Sequence, residues 1–400
     1  MRITCVGGGP AGLYFAVLAK LADPTREITV LERNPAGVTY GWGVVFWDDL
    51  LDDLFRYDPV SAARIWEAAY KWNEYEVRVT GKPDSHLGGY GFSMGRHKLL
   101  EILGERAREL GVTVRYQDEL TDPAMLPPAD LVVACDGAGS RIRDLHAEHF
   151  GASVETGRNK YIWLGTPHVF RTFRFGFERT EAGWIWFHAY PFSDTASTFI
   201  VECTPETWTG LGLDRLDSAA GNARLREIFA KHLDGQPLDD SGRGWLNFRR
   251  VTAERWDHGN VVLMGDAAHT THFAIGSGTK LAMQDAMALA DAVADFAPEA
   301  LPAALEQYEH RRKVALAPLQ RAALASSQWF ERMPEYATLP ATRFSYALSN
   351  RREDFPAWRY LLHISTQGTV PRTMLRWTLS ARRWNRARRR PARRLTAAVP

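Results

Sequence analysis

The run Val6-Gly7-Gly8-Gly9-Pro10-Ala11-Gly12 constrains the fold more than any other part of the chain. An apolar stretch before it, Arg2 to Val6, reads as a buried strand. The stretch after it, Pro10 to about Leu21, reads as a helix, and Ile28 to Leu31 as a second strand. Strand, glycine turn, helix and strand make a βαβ unit and predict a parallel sheet. Gly7, Gly9 and Gly12 supply the spacing GxGxxG: the first permits a tight turn, the second lets a pyrophosphate approach the backbone, and the third lets helix and sheet pack closely. Such a match alone is weak. Glu32, twenty residues after Gly12, strengthens it, because a carboxylate there accepts hydrogen bonds from an adenosine ribose and repels a 2′-phosphate. The pattern predicts a dinucleotide site without separating FAD from NAD.

Downstream, residues 48–70 read as helical, 74–79 as extended, 96–110 as a helix, and 112–116 and 131–135 as strands. From Tyr161 to Cys203 aromatic and β-branched runs alternate with turns, which predicts antiparallel strands. A helix is expected at 222–232, strands at 245–250 and 261–264, and a helix from Thr279. Residues 302–330 form one long helix or two, with Pro318 as the expected kink or break. The nucleotide domain is thus expected in three parts, 1–75, 96–158 and 253–300. A β-rich substrate domain takes 76–95 and 159–252, helices take 301–370, and an Arg-rich tail takes 371–400.

With 45% apolar and 24% charged residues, the composition excludes a disordered or fibrous chain. Cys5, Cys135 and Cys203 form neither a disulfide framework nor a CxxC clamp, which fits a reducing cytoplasm. No apolar run reaches the length of about 18 residues that a membrane-spanning helix requires, and the N-terminus does not read as a signal peptide. The formal net charge of +2 conceals two regions. Residues 371–400 hold ten arginines and no Lys, Asp or Glu, so the preceding 370 residues sum to −8. The tail is expected to be solvated or weakly docked, with mobile final residues; contact with a phosphorylated substrate or another anionic partner is the alternative. Trp377 and Trp384 alone do not make an RNA platform, so no nucleic acid is expected, and nothing in the sequence sets the oligomeric state.

Three separated motifs carry a resemblance. Besides Gly7-x-Gly9-x-x-Gly12, the chain contains Asp136-Gly137-Ala138-Gly139-Ser140-Arg141-Ile142-Arg143 and Gly265-Asp266-Ala267-Ala268-His269. Together they resemble the class A flavin-dependent aromatic hydroxylases over roughly residues 1–310. The segments Gly41-Trp42-Gly43-Val44-Val45-Phe46, Tyr161 to Thr166 and Thr271 to Ala286 are most similar to the salicylyl-CoA and anthraniloyl-CoA monooxygenase branch. The resemblance implies an α/β fold with a Rossmann-like FAD-binding domain, an inserted β-rich substrate domain and a helical C-terminal region. It implies FAD as cofactor and NADH or NADPH as transient reductant. The chemistry it implies is insertion of one atom of O2 into an aromatic ring through a flavin C4a-hydroperoxide, with 5-hydroxylation of salicylyl-CoA as the leading reaction. Hydroxylation of an indole or another natural-product precursor is an alternative, as is a flavin dehydrogenase or reductase without oxygen insertion; halogenation is a weaker rival. Some CoA-ester relatives continue into a second oxidoreductase domain, so only the monooxygenase half's activity is expected here.

By the same resemblance, Gly7, Gly9, Gly12, Glu32, Arg33, Gly43, Arg96, Asp136, Gly265, Asp266, Gly276 and Gly278 are the cofactor residues. Arg96 is assigned to the pyrophosphate, Asp266 to the ribityl chain, and the helix start after Gly276 and Gly278 to the flavin pyrimidine, where backbone N–H groups stabilise negative charge. Trp186, His188 and Tyr190 alternate within Trp184 to Pro191 and are expected to share one strand face toward substrate, and Val45 is expected to line the same pocket. His188 is the residue assigned to hydrogen-bond or deprotonate a phenol, with a structural hydrogen bond as its alternative. His269 and His272 have no assembled ligand set, so no metal is expected.

Overall fold

The computed structural model describes residues 1–39, 41–120, 128–295, 298–352 and 356–390. In chain order the strands are β1 Arg2–Val6, β2 Glu27–Glu32, β3 Gly43–Phe46, β4 Tyr70–Val79, β5 Ser85–Gly95, β6 Thr113–Tyr116 and β7 Leu131–Ala134. They continue as β8 Ser153–Thr166, β9 Phe173–Thr180, β10 Gly183–Pro191, β11 Ser197–Cys203, β12 Leu246–Thr252, β13 Asp257–His258 and β14 Val261–Leu263.

Six of these form the sheet β13-β14-β7-β1-β2-β6, parallel except for the short β13/β14 pair. Its central strands are continuous apolar runs, as burial on both faces requires. Helices Pro10–Ala22, Arg96–Glu109 and Gly278–Ala292 pack side by side and bury Phe15, Leu103 and Met283 in one core with Cys5, Val30 and Val133. The other eight strands form the sheet β12-β8-β11-β10-β9-β4-β5-β3, antiparallel except at β4/β9. Strand β10 shows how this sheet separates two cores. Ile185, Phe187 and Ala189 point to one cluster and Trp186 and Tyr190 to another, which the C-terminal residues Phe330 and Phe344 complete. This is the α/β fold with an inserted β-sheet and a helical C-terminal region that the motifs imply.

Two local expectations change, and one alternative is decided. Residues 48–70 form two helices, Asp48–Tyr57 and Pro59–Ala68, because the Asp58 side chain caps the second by accepting from Val60 N and Ser61 N and Pro59 starts it. Of the two forms expected for residues 302–330 the structure has the single helix, Leu301–Glu331, which runs through Pro318. That proline is exposed, and the carbonyl it leaves unpaired belongs to Val314, also exposed, where water can serve it.

The second change concerns the tail, whose described part is a helix docked along one side by ion pairs while its other side, with Met374, Trp377 and Trp384, stays exposed. Residues Thr369–Arg389 form a helix against β4 and β5. Arg372 makes a bidentate pair with Glu74 at 2.6 and 2.7 Å, Arg383 donates to Asn73 at 2.7 Å, and Arg390 donates to Asp52 at 2.8 Å and Asp48 at 2.5 Å. Glu74 has φ +77 at the bulge of β4, a conformation that a non-glycine residue adopts only where neighbours hold it. The acidic body supplies partners for the basic helix, which is why the charge run folds back. Residues 391–400, with Arg393 and Arg394, lie outside the described residues. No helix among the described residues is long and apolar enough to cross a membrane.

Candidate active site

A cavity of about 860 Å³ starts at the glycine turn, passes between the two sheets and ends against β10. At its start, backbone contacts demand two of the three motif glycines. A Cβ on Gly7, which has φ +116, would lie 2.3 Å from the Cys135 carbonyl oxygen, and one on Gly12 would lie 2.1 Å from the Gly7 carbonyl oxygen. Gly9 differs: a Cβ there meets nothing within 4 Å, so its freedom serves the cavity and not the packing. The helix that follows has no side-chain cap, and its uncapped first turn lines the same space. Glu32 and Arg33 line this end. Glu32 Oε2 accepts from Gly8 N at 2.7 Å and Oε1 from Asn34 N and Nδ2 at 2.8 and 2.6 Å, which fixes the carboxylate's orientation and leaves an Oε2 lone pair for a ribose hydroxyl.

Farther along stand Arg96, Asp136 and Asp266. Arg96 donates to Thr39 Oγ1 at 3.1 Å. Enclosure lowers its pKa and Asp266 opposes that shift. Asp136 acts twice: Oδ2 accepts from Arg141 N at 2.8 Å, capping the turn, while Oδ1 is buried without a partner. Asp266 is exposed only into the cavity, where enclosure by protein raises its pKa against the opposing pull of His269 and Arg96.

At the far end, Gly276 (φ +66), Gly278 and the start of helix Gly278–Ala292 face Gly43 and Val45 across the cavity. A Cβ on Gly276 would come within 2.7 Å of Val45 Cγ2, so glycine permits the approach. Gly43 is held from both sides: its N donates to Thr198 Oγ1 at 2.8 Å and its carbonyl accepts from the Tyr190 hydroxyl at 2.8 Å.

These features fit an FAD. The open Gly9 turn and Glu32 suit the adenosine and pyrophosphate, the unpartnered Asp136 Oδ1 and the cavity-facing Asp266 suit its polar linker, and the Gly276–Gly278 helix start suits an electron-rich ring edge.

The substrate expectations divide. His188 lines the cavity, with Nε2 buried and unpartnered. Burial, then Arg351, His272 and Arg352, drive its pKa well below the ordinary imidazole value, so the ring is neutral. Val45 lines the cavity. Tyr190 also lines it, but its hydroxyl is committed to Gly43 and burial raises its pKa, which makes it a brace for the loop. Trp186 is a correction, since it does not line the cavity. Two residues back along the strand from His188, it passes beneath Phe330, stacked at 6.0 Å, and donates to Glu202 at 3.1 Å.

The structure brings in residues that the sequence did not disclose. Tyr75, Tyr161, Phe273 and Arg352 line the substrate end. Arg351 and Arg352 both donate to the Ala274 carbonyl, at 3.0 and 3.1 Å, and so hold the segment before Gly276 from the C-terminal side. Behind the Gly265-Asp266 turn, buried Asp285 accepts from Gly265 N at 3.0 Å and Arg312 at 2.6 Å, and His269 Nε2 lies 2.7 Å from it. His269 is therefore structural, and it stacks on Trp256 at 5.1 Å. Among the described residues, no group of three or more His, Cys, Asp or Glu could hold a metal ion.

Residues 91–322 match the family described as FAD binding domain. The chain is 42% identical over 84% of its length to a salicyloyl-CoA 5-hydroxylase of Streptomyces sp, and the match spans 66% of that enzyme. It is 37% identical over 93% of its length to the 3-hydroxy-4-methyl-anthranilyl-[aryl-carrier protein] 5-monooxygenase of Streptosporangium sibiricum, and spans 99% of it. The fold is similar to that of 2-methyl-3-hydroxypyridine-5-carboxylic acid oxygenase, with a TM-score of 0.67 at 20% identity, covering 88% of this chain and 98% of that one.

Proposed function

The chain belongs to the class A FAD-dependent aromatic monooxygenases, and from that premise we propose that it hydroxylates an aryl thioester, with salicylyl-CoA and its 5-hydroxy product as the leading pair. The observation that carries this reading is the cavity itself, which runs from the Gly9 turn to a chamber walled by Tyr161 and Phe273 and ending at the unpartnered His188 Nε2. Both thioester-acting relatives support the substrate class. NADH or NADPH supplies the electrons.

Bound FAD supplies reductive activation of O2 and electrophilic delivery of one oxygen atom. The protein's residues position and shield. Gly9 and the helix start at Pro10 take the pyrophosphate with Arg96, Glu32 takes the ribose, Asp266 the ribityl chain, and the Gly276–Gly278 turn the ring edge. Tyr190 and Thr198 fix Gly43 so that the loop forms a dry wall. Neutral His188 accepts the hydrogen bond of a ring hydroxyl at Nε2, which orients the ring and raises electron density at the carbon to be attacked. The adjacent Arg351 disfavours full proton transfer to this imidazole.

The test is an anaerobic screen of FAD reduction by NADH and NADPH with free aromatics and their CoA esters, followed by O2 and product mass analysis. A CoA ester that accelerates reduction and gains 16 mass units, roughly one oxygen atom, supports the reading. Oxidation or reduction without added oxygen overturns it, as does turnover of an indole with no response to any thioester.

A further inference from the structure

Beside the flavin chamber lies a second cavity of about 690 Å³, between β5 and the final helix, lined on the helix side by Leu379, Arg382 and Arg386. Trp47 and Tyr75 line both spaces, so the two cavities adjoin at these side chains. We propose that the second cavity receives the phosphopantetheine arm of the substrate, its phosphate on Arg382 and Arg386, while the aryl group occupies the flavin chamber. This inference rests on the thioester reading above.

Charge accounting within the cavity supports an anionic occupant. Its two carboxylates are already engaged: Asp48 by Arg390 at 2.5 Å and by the Tyr90 hydroxyl, and Asp49 by Lys280. Arg382 is exposed and has no hydrogen-bond or ion-pair partner among the described residues. Arg386 keeps 57% of its side chain exposed and reaches only 3.7 Å from Asp48. The rim therefore presents two guanidinium groups whose positive charge the lining acids do not cancel, a suitable receptor for a phosphate.

The shape agrees with the charge. The glycine pair Gly88-Gly89 of β5 sets the width: a Cβ on Gly88 would lie 2.7 Å from Leu375 Cδ2 of the helix, and one on Gly89 would lie 2.7 Å from the Tyr75 ring. Larger residues would push the helix outward or fill the wall. Helical spacing places Leu379, Arg382 and Arg386 on one face and Trp377, Trp384 and Arg388 on the opposite one, so the site uses one face of the helix only. Coenzyme A and a carrier protein both present the same phosphorylated arm, and the assay separates them.

The experiment compares the FAD-loaded wild type with Arg382→Ala, Arg382→Ala/Arg386→Ala and, as a control on the opposite face, Arg388→Ala. Salicylyl-CoA, a carrier-bound salicylyl thioester and salicylyl-N-acetylcysteamine, which lacks the phosphate, serve as substrates. The double variant should raise KM for at least one phosphorylated ester by roughly fivefold, the size of two solvent-exposed ion pairs, with kcat retained. The N-acetylcysteamine ester should be unaffected, and the wild type's preference for phosphorylated esters should fall with ionic strength. A rise confined to the CoA ester or to the carrier-bound ester supports the site and identifies the source of the arm. Unchanged KM for both phosphorylated esters overturns the site while leaving thioester hydroxylation standing. An equal rise for all three esters, or the same rise in Arg388→Ala, also overturns it. Failure of every thioester to be hydroxylated overturns both readings. Exposed Arg382 touches nothing that folding requires, so the single variant keeps the test valid if the double variant is unstable.

Discussion

Replacing Asp285 tests whether the flavin-facing turn is held from behind by a buried ionic network. Asp285 and Arg312 have side chains 0% and 8% exposed, and His269 is 3% exposed. The carboxylate is the shared acceptor for Gly265 N, Arg312 Nε and the His269 ring. Burial pushes the Asp285 pKa up, but His269 and then Arg312 outweigh it and the net direction is down. Asp285→Ala leaves the Arg312 guanidinium buried without its anion and the Gly265 N–H without an acceptor. Removing one partner of such a pair costs about 3–5 kcal/mol. Asp285→Asn keeps the shape and one acceptor oxygen, and should cost about half as much, in the range of roughly 1.5–3 kcal/mol for a hydrogen bond to a charged group. Urea titration of the FAD-free protein measures both. Because Asp285 titrates lower folded than unfolded, its stabilisation is complete well above 3.8, the ordinary aspartate value, and is lost as pH falls through the folded value. The wild type's lead over Asp285→Asn should therefore shrink as the medium is acidified. FAD should dissociate faster from both variants, since the Gly265-Asp266 turn loses its anchor. An Asp285→Ala protein within about 1 kcal/mol of wild type would refute the network's structural role.

Glu202 should show the opposite pH dependence. Fully buried with Asn159 and Trp186 as donors, it is raised from 4.5 to about 7, so stability should decline as pH rises from 4.5 through 7. Glu202→Gln should abolish that decline, with a gain approaching about 3 kcal/mol above pH 8 by the linkage of pKa to stability; a melting temperature that runs parallel to wild type from pH 5 to 8 contradicts this. Gly9→Ala should fold with an unchanged melting temperature in the FAD-free state but lose FAD affinity, whereas Gly12→Ala should be destabilised even without FAD, because its Cβ meets backbone at 2.1 Å; equal behaviour of the two variants in thermal melts would show that Gly9 does not serve the cofactor. His188→Ala should lower kcat roughly 10²-fold, as loss of an oriented proton acceptor does. Since the folded His188 pKa lies well below 6.5, the wild-type rate profile should show no imidazole titration between pH 6 and 8, and an acid limb there that His188→Ala removes would refute the neutral assignment.

What the sequence disclosed follows from how local each signal is. Gly7, Gly12 and Glu32 lie within one βαβ unit, where backbone contacts of Gly7 and Gly12 impose residue type, so their placement can be read from spacing. Asp136 and Asp266 follow apolar runs that end at the same edge of the parallel sheet, and β14 pairs directly with β7, which brings two distant motifs together. The period of β10 likewise put His188 and Tyr190 on one face. It did not show how far the cavity extends along that face, because Phe330, which covers Trp186, comes from a helix more than a hundred residues away. Arg351 and Arg352 escaped notice for the same reason: an arginine pair at the end of an ordinary helix is a surface feature until the fold turns it toward Ala274.

The arginine tail shows the converse error, in which a strong local signal points the wrong way. Ten positive charges without a counter-ion predict repulsion and solvation for an isolated segment. The partners exist in the acidic body, but Glu74 reaches Arg372 only because β4 bulges and sets Glu74 at φ +77, and Asp48 and Asp52 reach Arg390 only from the start of a helix that the sequence merged with its neighbour. Once Arg372, Arg383 and Arg390 are spent on docking, the remaining charge is no longer a diffuse property of the tail. Part of it becomes a placed one, with Arg382 and Arg386 lining a cavity that adjoins the first at Trp47 and Tyr75. The net charge of the segment therefore says little about its partner; the placement of its arginines says more, since Arg382 and Arg386 border a cavity while Arg388 lies on the opposite face of the helix.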